Sequence, residues 1–365
     1  MKRLRAIGVI VACAVLGGCG GASVVKSAMF RADSMRSGEY SREPMLTLNQ
    51  LKWKYQTGVT SYSSPLEANG VVYYGTGDGK LRAISAESGN ELWNFQAGAT
   101  IESTPAYADG VVYFGSWDGH VYAVDTASHA VLWKFKTGGI VYGSPAVSME
   151  VVYAGSEDGH VYALAAKTGV EMWRFKTDGR VYSSPAIEAG RVYFGSGDTR
   201  VYAVDAATGV EIWRFKTTEP IYSSPSVSSG TLAIGSDDRF MRLINTKTGQ
   251  EVWRYRTGNK IYSSPAMTGN TIVFGSTDGY VYALTRATGH KLWEYRTYGK
   301  IYSSPAVVEQ VVYVGSTDGF LYAIDLVTGA EIWKFNAEAQ VFASPVPLDK
   351  QAIFASTEGE IFVLQ

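Results

Sequence analysis

The side chains in this chain that could do chemistry are few, and most recur at a fixed step. Tyr62, Glu102, Tyr142, Tyr182, Tyr222, Tyr262, Tyr302 and Phe342 each precede a Ser-Ser-Pro-like segment. Seven aromatics and one carboxylate at one position could bind a peptide, a sugar or an extended strand, because tyrosine supplies contact area at low entropic cost. The same residues could equally pack between neighbouring strands. Two positions earlier, Arg180, Lys260 and Lys300 could form a basic arc that attracts acidic partners, or could be solvated loop charges. Trp117 is the one tryptophan off the common step and could anchor an interface or lie on its own unit.

Other patterns point away from catalysis. Asp-Gly recurs at Asp78, Asp118, Asp158, Asp278 and Asp318. Each turn offers one carboxylate where a calcium loop needs several closely spaced oxygens, and Asp-Gly is a favoured hairpin turn. His120 and His160 stand at equivalent positions, and two histidines do not make a metal site. Neither a nucleophile–base pairing nor a glycine-rich phosphate loop stands out. The reading is non-enzymatic, with no cofactor and no metal.

The elements that must position these residues follow from one period. Trp53, Trp93, Trp133, Trp173, Trp213, Trp253, Trp293 and Trp333 stand forty residues apart, and prolines from Pro65 to Pro345 keep the same step. Such a period marks a repeat architecture whose units cannot bury a core alone. Within one unit, Glu171–Lys176 alternates outward charge with inward apolar groups, as a strand does. Val181–Ile187, Arg191–Ser196 and Val201–Asp205 read as three more strands, separated by Gly-containing turns. The expected fold is an all-β, eight-bladed β-propeller of four-stranded antiparallel blades over residues 46–365. Proline lacks a ladder donor, which places the Ser-Ser-Pro strand at the channel edge. The chain stops at Gln365, before a last tryptophan strand, so the N-terminal strand around Trp53 is expected to complete the last blade and close the fold, removing an open edge.

The chain start reads as targeting. Lys2, Arg3 and Arg5 precede a short apolar run, followed by Leu16-Gly17-Gly18-Cys19, which resembles a bacterial lipobox. Residues 1–18 are then a lipoprotein signal peptide, Cys19 the lipidation site, and 19–45 the lipidated N-terminus and tether, within which Met29-Phe30-Arg31 reads either as free linker or as a piece packed against the propeller rim. Acyl chains on Cys19 would hold the protein at a membrane without a spanning helix. The other of the chain's two cysteines, Cys13, lies inside the signal, so no disulfide is expected. The net charge of −1 gives no basic footprint for nucleic acid.

Ala203-x-Asp205-x-x-Thr208-Gly209-x-x-x-Trp213 resembles the tryptophan-docking motif of the quinoprotein-type (PQQ-like) propeller repeat, and Ala323, Asp325, Thr328, Gly329 and Trp333 repeat it. Ser85, Ala165, Asn245 or Thr285 stands in the Asp place of other units, and His129 in one Gly place. The resemblance implies that the eight tryptophans staple adjacent blades. Quinoprotein dehydrogenases, which hold PQQ and Ca²⁺ on the axis, share the repeat but are typically longer. In lipobox, length and blade number the chain is more similar to the lipid-anchored propellers of the outer-membrane β-barrel assembly machinery. That resemblance implies a monomeric, non-catalytic scaffold on the periplasmic side of the outer membrane, with protein partners in the assembly machinery. A PQQ-dependent oxidoreductase-like propeller and a surface glycan- or ligand-binding propeller are the alternatives.

Overall fold

A computed structural model describes residues 27–365. The signal segment and the proposed lipidation site Cys19 lie outside the described residues. Among the described residues no helix is long and apolar enough to cross a membrane.

Eight antiparallel sheets follow one another along the chain, each a blade. The fourth blade shows the pattern. Ala186–Glu188 lies innermost, followed by Arg191–Gly195, Arg200–Asp205 and, outermost, Glu211–Lys216. Ala189 and Gly190 join the first two strands with φ of 50° and 73°. Positive φ at both central residues fits the twist of a tight hairpin. The two middle strands are almost wholly buried because both faces pack on neighbouring blades, and the hydrophobic clusters accordingly run across blade boundaries. The outermost strand turns Trp213 inward and its neighbours outward. Trp213 pairs with Ala203, and Glu211 with Val204, so Ile212 is an extra, bulged residue. The bulge accounts for the exposed apolar residue at this place in most blades, such as Leu92, Leu132, Met172 and Leu292.

The tryptophans lie across blade boundaries. The indole N–H of Trp173 donates to the Ala206 carbonyl at 3.0 Å, and that of Trp213 donates to Thr246 at 2.8 Å. Gly209 has φ of +71° and runs so close under Trp173 that a Cβ there would sit 2.7 Å from the ring. Both facts require glycine in the Thr-Gly pair. Where His129 replaces it, the imidazole stacks on Trp93 at 4.7 Å instead. Trp333 of the seventh blade donates to the Met45 carbonyl at 2.9 Å, so an N-terminal residue takes the place that a residue just after the third strand of the next blade takes for Trp173 and Trp213.

One expectation about the sheets needs correction. The eight blades are four-stranded and antiparallel as expected, and Ser27–Ala28 adds a short extra strand beside Ala106–Ala108 on the channel side of the second blade. The Trp53 strand does not close the fold as expected, because among the described residues no sheet is closed by hydrogen bonds. Leu51–Gln56 lies along Glu360–Leu364 as the outermost strand of the eighth blade, with Trp53 opposite Val363. It therefore forms a sheet margin rather than removing one. Sheets packed face to face stand about 10 Å apart, too far for a ladder to pass between them.

The ring holds together by side-chain bridges instead. On the channel wall the second hydroxyl of each Ser-Ser-Pro segment accepts a backbone N–H from the blade before it. Ser144 N–H donates to Ser184 Oγ at 2.9 Å, Ser184 to Ser224 at 2.9 Å, and Ser344 to Ser64 at 2.8 Å across the first–last boundary. These hydroxyls satisfy donors that the channel-side strand cannot pair within its own sheet.

Residues 27–45 run through one end of the channel. The backbone N–H groups of Ile187, Val227, Met267 and Val307 donate in turn to the carbonyls of Ser34, Met35, Ser37 and Gly38 at 2.7–2.9 Å. Arg36 is fully buried at the centre of this plug. Its guanidinium donates to the carbonyls of Pro185, Ser144 and Pro145 at 3.0 Å and to Phe30 at 2.6 Å.

Candidate functional site

The other end of the channel is an open funnel of about 660 Å³. The Ser-Ser-Pro segments build its wall, with the hydroxyl ring below and one larger side chain per blade above. Phe30 from the plug lines it from within, so the funnel opens at one mouth. Phe30 and the plug carry no signal in the repeat pattern; the stretch lacks periodicity, and its apolar Met29-Phe30 pair hints at packing but not at a place inside the channel.

The upper layer is a belt of aromatics. Tyr142, Tyr182, Tyr222, Tyr262, Tyr302, Phe342 and Tyr62 touch in that order, with successive ring centroids 4.5–5.6 Å apart. The belt breaks once, at Glu102. Tyr62 and Tyr142, which flank the break, are the two most exposed rings of the series, at 48% and 38%. Burial raises the Glu102 carboxyl above its ordinary range, partly opposed by a hydrogen bond from the Tyr142 hydroxyl. Burial and then the neighbouring carboxylate raise the Tyr142 phenol.

Trp117 stands beside the break and is 42% exposed. Its backbone N–H donates to Thr100 at 2.9 Å. It lines both the funnel and a second, adjoining hollow of about 500 Å³, shared with Tyr62, Thr60, Asp78, Thr100 and Glu102.

The cations of the arc sit on the same rim, and two already have anionic neighbours. Lys260 pairs with Asp237 at 2.7 Å. Arg180 donates to the Tyr182 hydroxyl at 3.0 Å and lies 3.9 Å from Glu157. Lys300 is exposed, its backbone N–H held by Thr317 Oγ1 at 2.7 Å.

The Asp-Gly turns bind backbone, not metal. Asp158 accepts from its own strand at His160 N–H (2.9 Å), from the preceding blade at Gly138 N–H (2.6 Å) and from the Tyr162 hydroxyl (2.7 Å). His120 and His160 each lie 3.2 Å from the aspartate of their own turn. Among the described residues no group of three or more His, Cys, Asp or Glu side chains could hold a metal ion. The funnel does not suit PQQ with calcium either. That quinone is a tricarboxylate, and among the described residues the lining holds no lysine or arginine and one carboxylate. Placing several anionic groups in such a site without cations is costly.

Comparison with known proteins agrees with this architecture. The chain matches the family described as outer membrane protein assembly factor BamB over residues 47–139, 78–197, 117–237, 197–303 and 278–365. The crystal structure of BamB from Moraxella catarrhalis superposes with a TM-score of 0.74 at 20% identity, covering 87% of this chain and 100% of that one. The computationally designed Ika8 protein superposes with a TM-score of 0.76 at 19% identity, covering 85% of this chain and 99% of that one. At these identities the two structures show a shared fold. No curated relative resembles the chain at a significant level. Successive overlapping matches carry the family pattern from residue 47 to the last residue, and the chain belongs to the BamB-type family of PQQ-like β-propellers.

Proposed function

We propose that this protein is a lipid-anchored, non-catalytic scaffold of the outer-membrane β-barrel assembly machinery, facing the periplasm. The observation that carries the reading is the family match along the whole propeller, to a family described as an assembly factor. The lipobox ending at Cys19 supports the anchor, and acylation there would place the propeller at a membrane surface. The open funnel supports partner contact, since a rim of tyrosines with an exposed tryptophan has the composition of an interface centre.

The test is crosslinking in cells from photoreactive residues placed at Trp117 and Tyr222. The reading expects a covalent adduct with a barrel-assembly protein, and lower outer-membrane protein levels when the gene is deleted. Adducts with lipid alone, or none, together with unchanged outer-membrane proteins, would remove its support.

A further inference from the structure

The break in the aromatic belt has its own chemistry. Glu102 is half-buried and accepts a hydrogen bond from the Tyr142 hydroxyl. Other carboxylates near the rim are matched: Asp237 with Lys260, Glu157 with Arg180, and Asp78 with Arg82 at 3.0 Å. Among the described residues no lysine or arginine lines the funnel or the adjoining hollow. Glu102 therefore has no cationic side chain beside it in a wall of aromatic faces.

Aromatic faces carry negative quadrupole potential and attract cations, most strongly at tryptophan. Here they add to a carboxylate whose charge is poorly solvated. An anion gains nothing from such a wall, and a neutral group leaves the carboxylate short of a partner. An alkylammonium or guanidinium would meet a charge-assisted hydrogen bond from Glu102 and aromatic surfaces from Trp117, Tyr62 and Tyr142. The funnel is too broad and the belt too open for a cage around a free small ion. The hollow beyond the break instead leaves room for the chain that carries the cationic group.

We propose that Glu102, with Trp117, Tyr62 and Tyr142, forms a subsite for a lysine or arginine side chain of a polypeptide bound at the funnel mouth. The repeat supports the assignment. Seven blades place an aromatic residue at this position, and the one exception is an acid next to the one tryptophan off the forty-residue step. The subsite requires only the isolated propeller, so it stands or falls separately from a role in barrel assembly.

The test uses the full-length chain in detergent, labelled with 5-fluorotryptophan, with the Trp117 fluorine signal assigned through Trp117→Phe. N-acetyl-arginine amide is the probe, and N-acetyl-alanine amide is the neutral control. The expected result is a saturable shift of the Trp117 signal with the arginine probe and little shift with the control. Glu102→Gln, which keeps shape and removes charge, should raise the Kd at least tenfold while the other tryptophan signals stay in place. Equal responses to both probes, or undiminished binding by Glu102→Gln, would overturn the subsite.

Discussion

The two ends of the channel answer the same physical need in different ways. Eight short inner strands line it, and apart from that of the second blade, which pairs with Ser27–Ala28, they leave backbone groups without a ladder partner on the channel side. At the open end the repeat supplies the answer: a serine hydroxyl from the next blade accepts the orphaned N–H, as from Ser144 to Ser184. At the closed end a single segment answers for several blades, with Ser34, Met35, Ser37 and Gly38 accepting from four of them in order. One solution is periodic and leaves the axis empty. The other is unique and fills it. The empty end is thus available for a ligand, while the filled end fixes the ring.

The largest effect that would sharpen this contrast comes from Arg36. Its guanidinium bridges carbonyls of the third and fourth blades and of the plug itself. Arg36→Met keeps the bulk but leaves four carbonyls without that donor. Hydrogen bonds to a charged group contribute about 1.5–3 kcal/mol each, with incomplete additivity, so a loss on the order of 3–5 kcal/mol is expected in chemical denaturation. An unchanged midpoint would mean that the plug rests on the ring without bracing it.

Ser184→Ala should cost less, about 1–3 kcal/mol, because it strands one buried N–H at Ser144. The same substitution at Ser224 should cost a similar amount, since the ring repeats. A position-dependent result would show that the hydroxyl ring is supported unevenly, and thermal melts of the two variants would decide it.

The legible part of this molecule is the part that repeats. Trp173, Thr208 and Gly209 announce blade packing because the same contact must be made at each boundary, and a contact made eight times writes a period. The Ser-Ser-Pro strand was legible as a channel edge for the same reason. Ser27–Ala28 and Arg36 were not, because each acts once and its hydrogen-bond partners are backbone carbonyls or N–H groups, which any residue offers. The Trp53 strand shows a subtler limit. Alignment tells which strand is missing from the eighth blade, but whether adding it closes a sheet depends on the spacing between blades, which no periodicity encodes. Glu102 is the converse case, visible as an exception to the pattern, although its lack of a cationic partner emerges only when Arg180 and Lys260 are seen bound to other acids.

The smallest effect concerns stability at the open end, and its sign is the informative part. Burial raises the Glu102 carboxyl, so the folded protein holds this proton at pH values where the unfolded chain has released it. The stability linked to that proton is present below the ordinary glutamate range and is lost as pH rises through the folded value. Glu102→Gln has no such loss. The variant should melt with the native chain in acid and slightly above it at neutral pH, and the gap should open across that window. Carboxylates shared by both proteins, such as Asp158 and Asp238, cancel in the difference. A residue that weakens the fold at neutral pH, while its amide would not, is better explained by a ligand than by packing. A native chain as stable as Glu102→Gln at neutral pH would instead place the carboxylate in water, and the contrast between a braced end and a binding end would then rest on the aromatics alone.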